Sequence, residues 1–356
     1  MMVPPGSVIG IIGGGQLGRM LSMAAAQLGY RTHIYAPDDD PPAGQVSCRT
    51  FRGAYDDEAA LAAFAAQVDV ATYEFENIAA GPLGAITAHA PLFPPRKALE
   101  IAQDRVTEKR FIASLGGEPA PFAPVASAAA LDTALAELGA PAILKTRRFG
   151  YDGKGQARIG NPDQARAAWE AVAGAPSVLE GFVSFDAEFS ILLCRGRTGE
   201  TVLWDAPRNV HEGGILARSE APAPAALADA IEAAQALSCR IAAALDYVGV
   251  LALEFFACGQ KAVFNEMAPR VHNSGHWTTE GALSSQFENH IRAICGLPLG
   301  ATDRTAARVI MQNLIGADAH RWPELLEDRT AHLHLYGKRD ARPGRKMGHV
   351  TRLLDR

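Results

Sequence analysis

Val250-Leu251-Ala252-Leu253-Glu254-Phe255-Phe256 is followed, across Gly259, by Ala262-Val263-Phe264-Asn265-Glu266-Met267 and then by Ala268-Pro269-Arg270-Val271-His272-Asn273. Two short apolar runs around a glycine-bearing turn read as a β-hairpin. Each run carries one acid. A carboxylate buried alone in an apolar strand is costly and needs a partner. Glu254 and Glu266, with the amide oxygen of Asn265, are placed to converge on one hard cation. Oxygen-only ligation by two carboxylates suits Mg²⁺ that also holds nucleotide phosphates. The alternative is two glutamates on an edge strand facing water.

Upstream, Val8–Ile12 reads as a short buried strand, Gly13-Gly14-Gly15 as a turn, and Gln16–Leu28 as a helix with Leu17, Met20, Leu21, Ala24 and Leu28 on one stripe. Gly29 ends that helix. A strand at Arg31–Tyr35, a helix near Glu58–Ala66 and a strand at Val70–Glu74 follow. This alternation predicts a parallel α/β domain over residues 1–97, closed by Pro91, Pro94 and Pro95. A second unit is expected over 98–300, with a lid over roughly 118–185. Its elements are a polar helix at Ala98–Leu115, strands at Ala142–Lys145, Ser177–Glu180, Glu188–Leu193 and Thr201–Trp204, and an alanine-rich helix at Ala225–Leu245. Beyond Pro298, short strands at Ala307–Met311 and His332–Tyr336 predict a small, mostly β unit over 301–356. The class is α/β together with α+β.

The 356 residues carry 34 basic and 39 acidic side chains, a net charge of −5, so no basic balance argues for nucleic acid. The cysteines, Cys48, Cys194, Cys239, Cys258 and Cys295, are scattered and odd in number, which fits a reducing cytoplasm rather than a disulfide framework or a zinc site. The N-terminus has no signal-peptide pattern, and no 18-residue apolar run predicts a membrane span.

Gly13-Gly14-Gly15-Gln16-Leu17-Gly18 matches G-x-G-x-x-G, and Asp38 lies 20 residues after Gly18, where a ribose-binding acid belongs. The pattern alone reads as NAD binding. Physically it is an anion site at a helix N-terminus, equally suited to a substrate phosphate, or simply a tight turn. Gly150-Tyr151-Asp152-Gly153-Lys154-Gly155-Gln156 offers backbone N–H groups to phosphates, with Lys145 just upstream to neutralise charge. It lacks the G-K-[ST] of a Walker loop, and the alternative is a solvated hairpin tip. Glu180-Gly181-Phe182-Val183, with Glu188 beyond, can read a purine edge and ribose hydroxyls, or be two surface acids. His211 stands beside Gly213-Gly214. Arg270, His272, Asn273, Ser274, Gly275 and His276 form a dense polar loop in which Ser274-Gly275 disfavours a helical zinc pair. Tyr336-Gly337-Lys338 and Arg342-Pro343-Gly344-Arg345-Lys346 read as a solvated basic tail or a phosphate clamp.

In this order, Lys145, the glycine-rich loop, Glu180–Val183, Glu188, Glu254 and Asn265-Glu266 resemble the ATP-grasp superfamily over nearly the whole chain. Within it the chain resembles the ATP-dependent carboxylating synthases of purine biosynthesis, which act on 5-aminoimidazole ribonucleotide. The marks are Ile11-Ile12-Gly13-Gly14-Gly15-Gln16-Leu17-Gly18-Arg19-Met20, Phe149–Gln156, the run Asn265–Thr278 and Tyr336-Gly337-Lys338. The resemblance implies an ATP-grasp fold and a homodimer, with ATP, Mg²⁺, bicarbonate and the ribonucleotide as its small molecules. It assigns the N-terminal glycine loop to substrate rather than NAD. Metal ligation falls to Glu254 and Glu266. The nucleotide falls to Arg105, Lys145, Gly150, Tyr151, Asp152, Gly153, Lys154, Gly155, Gln156, Glu180, Gly181, Phe182, Val183, Glu188, His211, Asn265 and Glu266. Arg270, His272 and Lys338 take catalytic roles, and Gln16, Asp152, Lys154 and Arg345 hold the ribonucleotide. Lys154 departs from the arginine of many relatives, which keeps the charge but loses the fork.

Overall fold

The computed structural model describes residues 2–148, 150 and 155–355. β1 (Val8–Ile12), β2 (Arg31–Ala36), β3 (Arg49–Arg52) and β4 (Val70–Tyr73) form a parallel sheet in the order β3-β2-β1-β4. β1 is buried at every position, as a strand covered on both faces must be. The helix Gln16–Gln27 buries Leu17, Met20, Leu21 and Ala24 and packs on the helix Gln286–Cys295. Its apolar stripe thereby joins one core with Trp277, Phe287, Ile291 and Tyr336.

β5 (Phe122–Val125), β6 (Ala142–Thr146), β7 (Gln156–Ile159) and β8 (Ser177–Gly181) make a separate antiparallel sheet, ordered β5-β8-β6-β7. It has its own core around Leu131, Leu144 and Leu179. The third sheet is antiparallel: β9 (Ala187–Arg195), β10 (Thr201–Leu203), β11 (Arg208–Glu212), β12 (Ile215–Ala221), β13 (Gly249–Cys258), β14 (Lys261–Ala268), β15 (Arg308–Ile315), β16 (Ala331–Leu335) and β17 (Lys346–Leu354). Its order is β14-β13-β9-β11-β12-β15-β17-β16, with β10 on β9. Period-2 alternation sorts β13 between two cores. Leu251, Leu253 and Phe255 meet the helix Ala228–Ala244, while Val250 and Ala252 join the core shared with the N-terminal domain. Glu254 continues that second row and so points towards the N-terminal domain.

The parallel N-terminal domain and the mostly β C-terminal strands are as the sequence predicts. Several elements differ. The single helix expected at Ala98–Leu115 is two, Arg96–Ala102 and Arg105–Ser114. Asp104 separates them, its carboxylate accepting the N–H groups of Val106 at 3.1 Å and Thr107 at 3.0 Å, an N-cap that starts a new helix. β3, β5, β7, β11, β12 and β17 were not anticipated. The C-terminal strands are not a detached sheet, because β15 pairs β12 and extends the central one. Among the described residues no helix is long and apolar enough to cross a membrane.

Candidate active site

β13 and β14 bring Glu254 and Glu266 directly opposite one another. The register then slips: Phe255 faces Phe264, leaving Asn265 as the extra residue of a β-bulge. In a regular strand Asn265 and Glu266 would face opposite ways. The bulge turns the Asn265 amide to Glu254, with Nδ2 at 3.5 Å from its carboxylate. Glu254 is only 14 % exposed and Glu266 43 %. Burial first, and then the Glu266 charge, push the Glu254 carboxyl well above the usual carboxylate range. Arg105 reaches Glu266 at 3.4 Å and His272 Nε2 reaches Glu254 at 3.5 Å. An opposed, oxygen-rich pair whose negative charge is poorly compensated fits a hard divalent cation. Glu266 does lie on the edge strand β14 and is partly exposed, whereas Glu254 lies on the interior strand β13 and is buried. Among the described residues no group of three His, Cys, Asp or Glu side chains is arranged to hold a metal.

The helix Arg105–Ser114 feeds this region from one face. Arg105, Glu108 and Lys109 lie at i, i+3 and i+4, on one stripe. Glu108, fully buried and raised by that burial, accepts the N–H of Met267 at 2.8 Å, next to Glu266. Lys109, also fully buried, meets Glu180 at 3.1 Å, and Lys145 meets the same carboxylate at 2.7 Å. Burial opposes the Glu180 charge, but the two ammonium groups outweigh it and hold the carboxyl down at about 2. Glu180 is therefore a buried clamp between the β5–β8 sheet and the helix Arg105–Ser114. The Gly181 and Phe182 N–H groups donate to the carbonyls of Pro121 and Pro141. Glu188 and His211 contact each other across β9 and β11. Burial lowers His211, yet the hydrogen bond to Glu188 and the Glu254 charge raise it overall. Gly150 and Gly155 flank the glycine-rich loop. Gly155 has φ +70°, and a Cβ there would lie 2.7 Å from Thr146 Oγ1. Gln156 pairs with Lys145. Tyr151, Asp152, Gly153 and Lys154, with Phe149, lie outside the described residues.

On the other side, Arg270 pairs with Glu76 at 2.9 Å. The N–H of Ser274 and its hydroxyl meet His272 Nδ1 at 3.3 and 2.9 Å, so Nδ1 accepts and the ring proton sits on Nε2, facing Glu254. Burial, then the Arg270 charge, keep this imidazole neutral. In the N-terminal loop the Gly15 N–H donates to Glu74 at 2.6 Å, just before Gln16 opens its helix. Burial raises Glu74, against the Gly15 bond and the charges of Arg270 and Lys338. One N–H of the glycine fingerprint is thus already committed to a carboxylate, which counts against a pyrophosphate there and against the NAD reading. Lys338 Nζ donates to the Lys346 carbonyl at 2.7 Å and lies 5.6 Å over the Tyr336 ring. Arg345 is held on its own loop, donating to the Asp340 carbonyl at 3.2 Å. Lys346 opens β17, and its charge is felt by Glu254 and His272. The sequence reading missed Glu74, Glu76, Glu108 and Lys109, and has Lys346 only as the end of the basic run that reads as a tail or a phosphate clamp. The signal available for Glu108 and Lys109 was helical spacing from Arg105.

A ribonucleotide synthetase preATP-grasp domain model matches residues 7–103, an ATP-grasp domain model 110–287, and a phosphoribosylaminoimidazole carboxylase C-terminal domain model 309–356. An N5-carboxyaminoimidazole ribonucleotide synthase of Brucella melitensis is 52% identical over 355 residues, 99% of this chain and 98% of that one. The crystal structure of the N5-carboxyaminoimidazole ribonucleotide synthetase from Thermus thermophilus superposes with a TM-score of 0.91 at 49% identity, over 98% of this chain and 94% of that one. The Aspergillus clavatus synthase, solved with ADP and 5-aminoimidazole ribonucleotide, gives 0.91 at 30% identity, over 98% of this chain and 94% of that one.

Proposed function

The chain belongs to the N5-carboxyaminoimidazole ribonucleotide synthase family, and we propose that the residues assembled around Glu254 and Glu266 carry out that family's reaction. The enzyme is an ATP-dependent ligase that carboxylates 5-aminoimidazole ribonucleotide in purine biosynthesis. The observation that carries the residue assignment is the meeting of Arg105, Asn265 and His272 at the opposed carboxylates of β13 and β14.

Bicarbonate is a poor electrophile at neutral pH. Transfer of the ATP γ-phosphoryl group to a bicarbonate oxygen yields ADP and carboxyphosphate, whose phosphate is a good leaving group. The exocyclic amine of the ribonucleotide then attacks the carboxyl carbon, in carboxyphosphate or in the CO₂ it releases. The amine loses a proton and inorganic phosphate departs. The first step demands positioning and charge neutralisation more than covalent help. Lys145, steadied by Glu180, and Arg105 supply cations on the nucleotide side. Glu188 and His211, held against each other, suit the ribose and phosphate rim. Arg270 and the Nε2–H of His272 are one charge and one donor for bicarbonate and carboxyphosphate. Lys338 and Gln16 approach from the C-terminal and N-terminal units, where the ribonucleotide would bind between them. Mg²⁺ suits Glu254 and Glu266 and, when bound, would neutralise phosphate oxygens.

A homodimer and a cytoplasmic setting belong to the same proposal. The resemblance to the family supports the dimer, and the unpaired cysteines suit a reducing compartment. The test is ADP release with 5-aminoimidazole ribonucleotide or glycinamide ribonucleotide as acceptor, each with and without bicarbonate. Turnover is expected only with the aminoimidazole and bicarbonate together. Bicarbonate-independent turnover with glycinamide ribonucleotide and formate would overturn the assignment.

A further inference from the structure

Gln286 opens the helix that packs behind the His272 loop, and its side chain is completely buried. Its amide directs its hydrogen-bonding capacity to that loop. Oε1 accepts the His272 N–H at 2.9 Å, and Nε2 donates to the His272 carbonyl at 2.7 Å. Nε2 also lies 3.2 Å from His276 Nδ1. Both peptide groups flanking the His272 Cα are therefore gripped by one planar amide. The grip is itself anchored. The Gln286 N–H donates to Thr278 Oγ1 at 2.9 Å, and that hydroxyl donates to the Gly275 carbonyl at 2.6 Å. A Cβ on Gly275 would sit 2.7 Å from Gln286 Oε1, so the close approach needs glycine there.

The imidazole hangs from this fixed backbone. Ser274 sets its tautomer through Nδ1, which leaves Nε2–H aimed at Glu254. The direction of that proton is determined by two devices: Ser274 fixes which nitrogen carries it, and Gln286 fixes where the ring's root stands. We propose that Gln286 is the positioning residue for His272, its amide clamping the His272 backbone so that Nε2–H is presented to bicarbonate and carboxyphosphate. This inference rests on the assignment of His272 to the bicarbonate step. It also gives a role to the second histidine of the loop, His276, whose Nδ1 holds the outer edge of the same amide.

Gln286→Leu keeps the volume and removes all three bonds. Gln286→Glu keeps the acceptor for the His272 N–H and loses the donors. The measurement is steady-state ADP release with bicarbonate and ATP varied separately. Misplacing a reacting group by a fraction of an ångström to an ångström costs about tenfold to a hundredfold. That loss is expected in kcat/KM for bicarbonate in Gln286→Leu, with a smaller loss in Gln286→Glu and with KM for ATP within about twofold of the parent. His272→Asn separates the two levels of the argument. If His272→Asn leaves bicarbonate kinetics unchanged, the assignment of His272 fails. If His272→Asn is impaired but Gln286→Leu has parental constants, or loses ATP and bicarbonate terms in equal proportion, the positioning role is overturned. In the double variant Gln286→Leu is expected to add less than about twofold to His272→Asn, since no imidazole remains to be positioned. Full multiplication of the two losses would equally overturn it. Should Gln286→Leu not fold, Gln286→Glu decides alone: the bicarbonate-selective loss supports the role, and parental constants refute it.

Discussion

Glu180→Gln tests the clamp between the β5–β8 sheet and the helix Arg105–Ser114. Glu180 is 5 % exposed and holds Lys109, 1 % exposed, and Lys145, 14 % exposed. Its carboxyl is depressed from 4.5 to about 2. At 1.36 kcal/mol per pH unit that difference corresponds to about 3 kcal/mol of native-state stability. Because the folded pKa is the lower one, the contribution is complete above pH 4.5 and is lost as pH falls towards 2. Replacing the carboxylate alone strands the buried Lys109 ammonium. Breaking one side of a buried pair costs roughly 3–5 kcal/mol, and loss of the Lys109 proton is the route by which the protein can limit that cost. Urea unfolding at pH 7.5 should therefore place Glu180→Gln about 3 kcal/mol below the parent. The gap should narrow at pH 3.5, where the parent begins to lose the same interaction. Adding Lys109→Met, which leaves an apolar side chain of similar length against a neutral amide, should recover much of the loss. A Glu180→Gln protein within about 0.5 kcal/mol of the parent, or one that Lys109→Met destabilises further by its full separate cost, would refute the clamp.

Glu266→Gln should nearly abolish turnover with the unfolding curve unchanged, because it removes one of the two carboxylates proposed to hold the cation. Parental turnover with unaltered Mg²⁺ dependence would remove Glu266 from the metal site. Lys338→Ala should weaken use of the ribonucleotide by about tenfold to a hundredfold in kcat/KM, the worth of one charge-assisted contact, while KM for ATP holds. Normal acceptor kinetics would exclude Lys338 from the site. His290 is neutral because burial lowers it to about 3, with Nδ1 accepting the Val250 N–H at 3.1 Å and Nε2 2.8 Å from Thr72 Oγ1. Its contribution is intact above pH 6.5 and erodes towards pH 3, so His290→Gln should flatten the fall in stability between pH 6 and 5, by up to about 1.4 kcal/mol per pH unit. An unchanged slope would contradict this.

The acidic hairpin was legible because its signals are local: β-branched and aromatic runs, a glycine turn, and one misplaced acid in each run. The bulge at Asn265 was not, since the pattern of β14 alone does not reveal where its register against β13 slips. The break at Asp104 was legible in principle, for Asp before a helical stripe is an N-cap signal. The polar helix around it was long enough to hide the cap. Charged residues on a helix read as solvated, so Glu108 and Lys109 were passed over. Their burial follows from Glu180 on β8 and the Met267 N–H, partners distant in sequence. Glu74 and Glu76 lay in an acidic stretch at the end of a strand, where only Gly15 and Arg270, brought close by folding, give them meaning. The pairing of β12 with β15 spans almost a hundred residues and leaves no local trace.

That pairing bears on how the enzyme can be recombined. The register Arg218↔Gln312, Ser219↔Met311, Glu220↔Ile310 and Ala221↔Val309 stitches the C-terminal unit into the sheet that ends at Glu266. A chimera that swaps only the chain after residue 300, to import another acceptor preference, must graft a foreign β15 onto a native β12. The β5–β8 sheet offers an easier seam. It pairs only within itself, with ties to the rest of the chain at its edges, Glu118 to Phe264 and Asp186 to Ala257, and within it, where the Arg147 carbonyl accepts the Arg105 N–H, Arg147 pairs with Asp104 and Phe185 stacks on Phe256. An exchange of residues 120–185 breaks no rung of the central sheet, provided the incoming segment brings a carboxylate to meet Lys109 and a cation to meet Asp104.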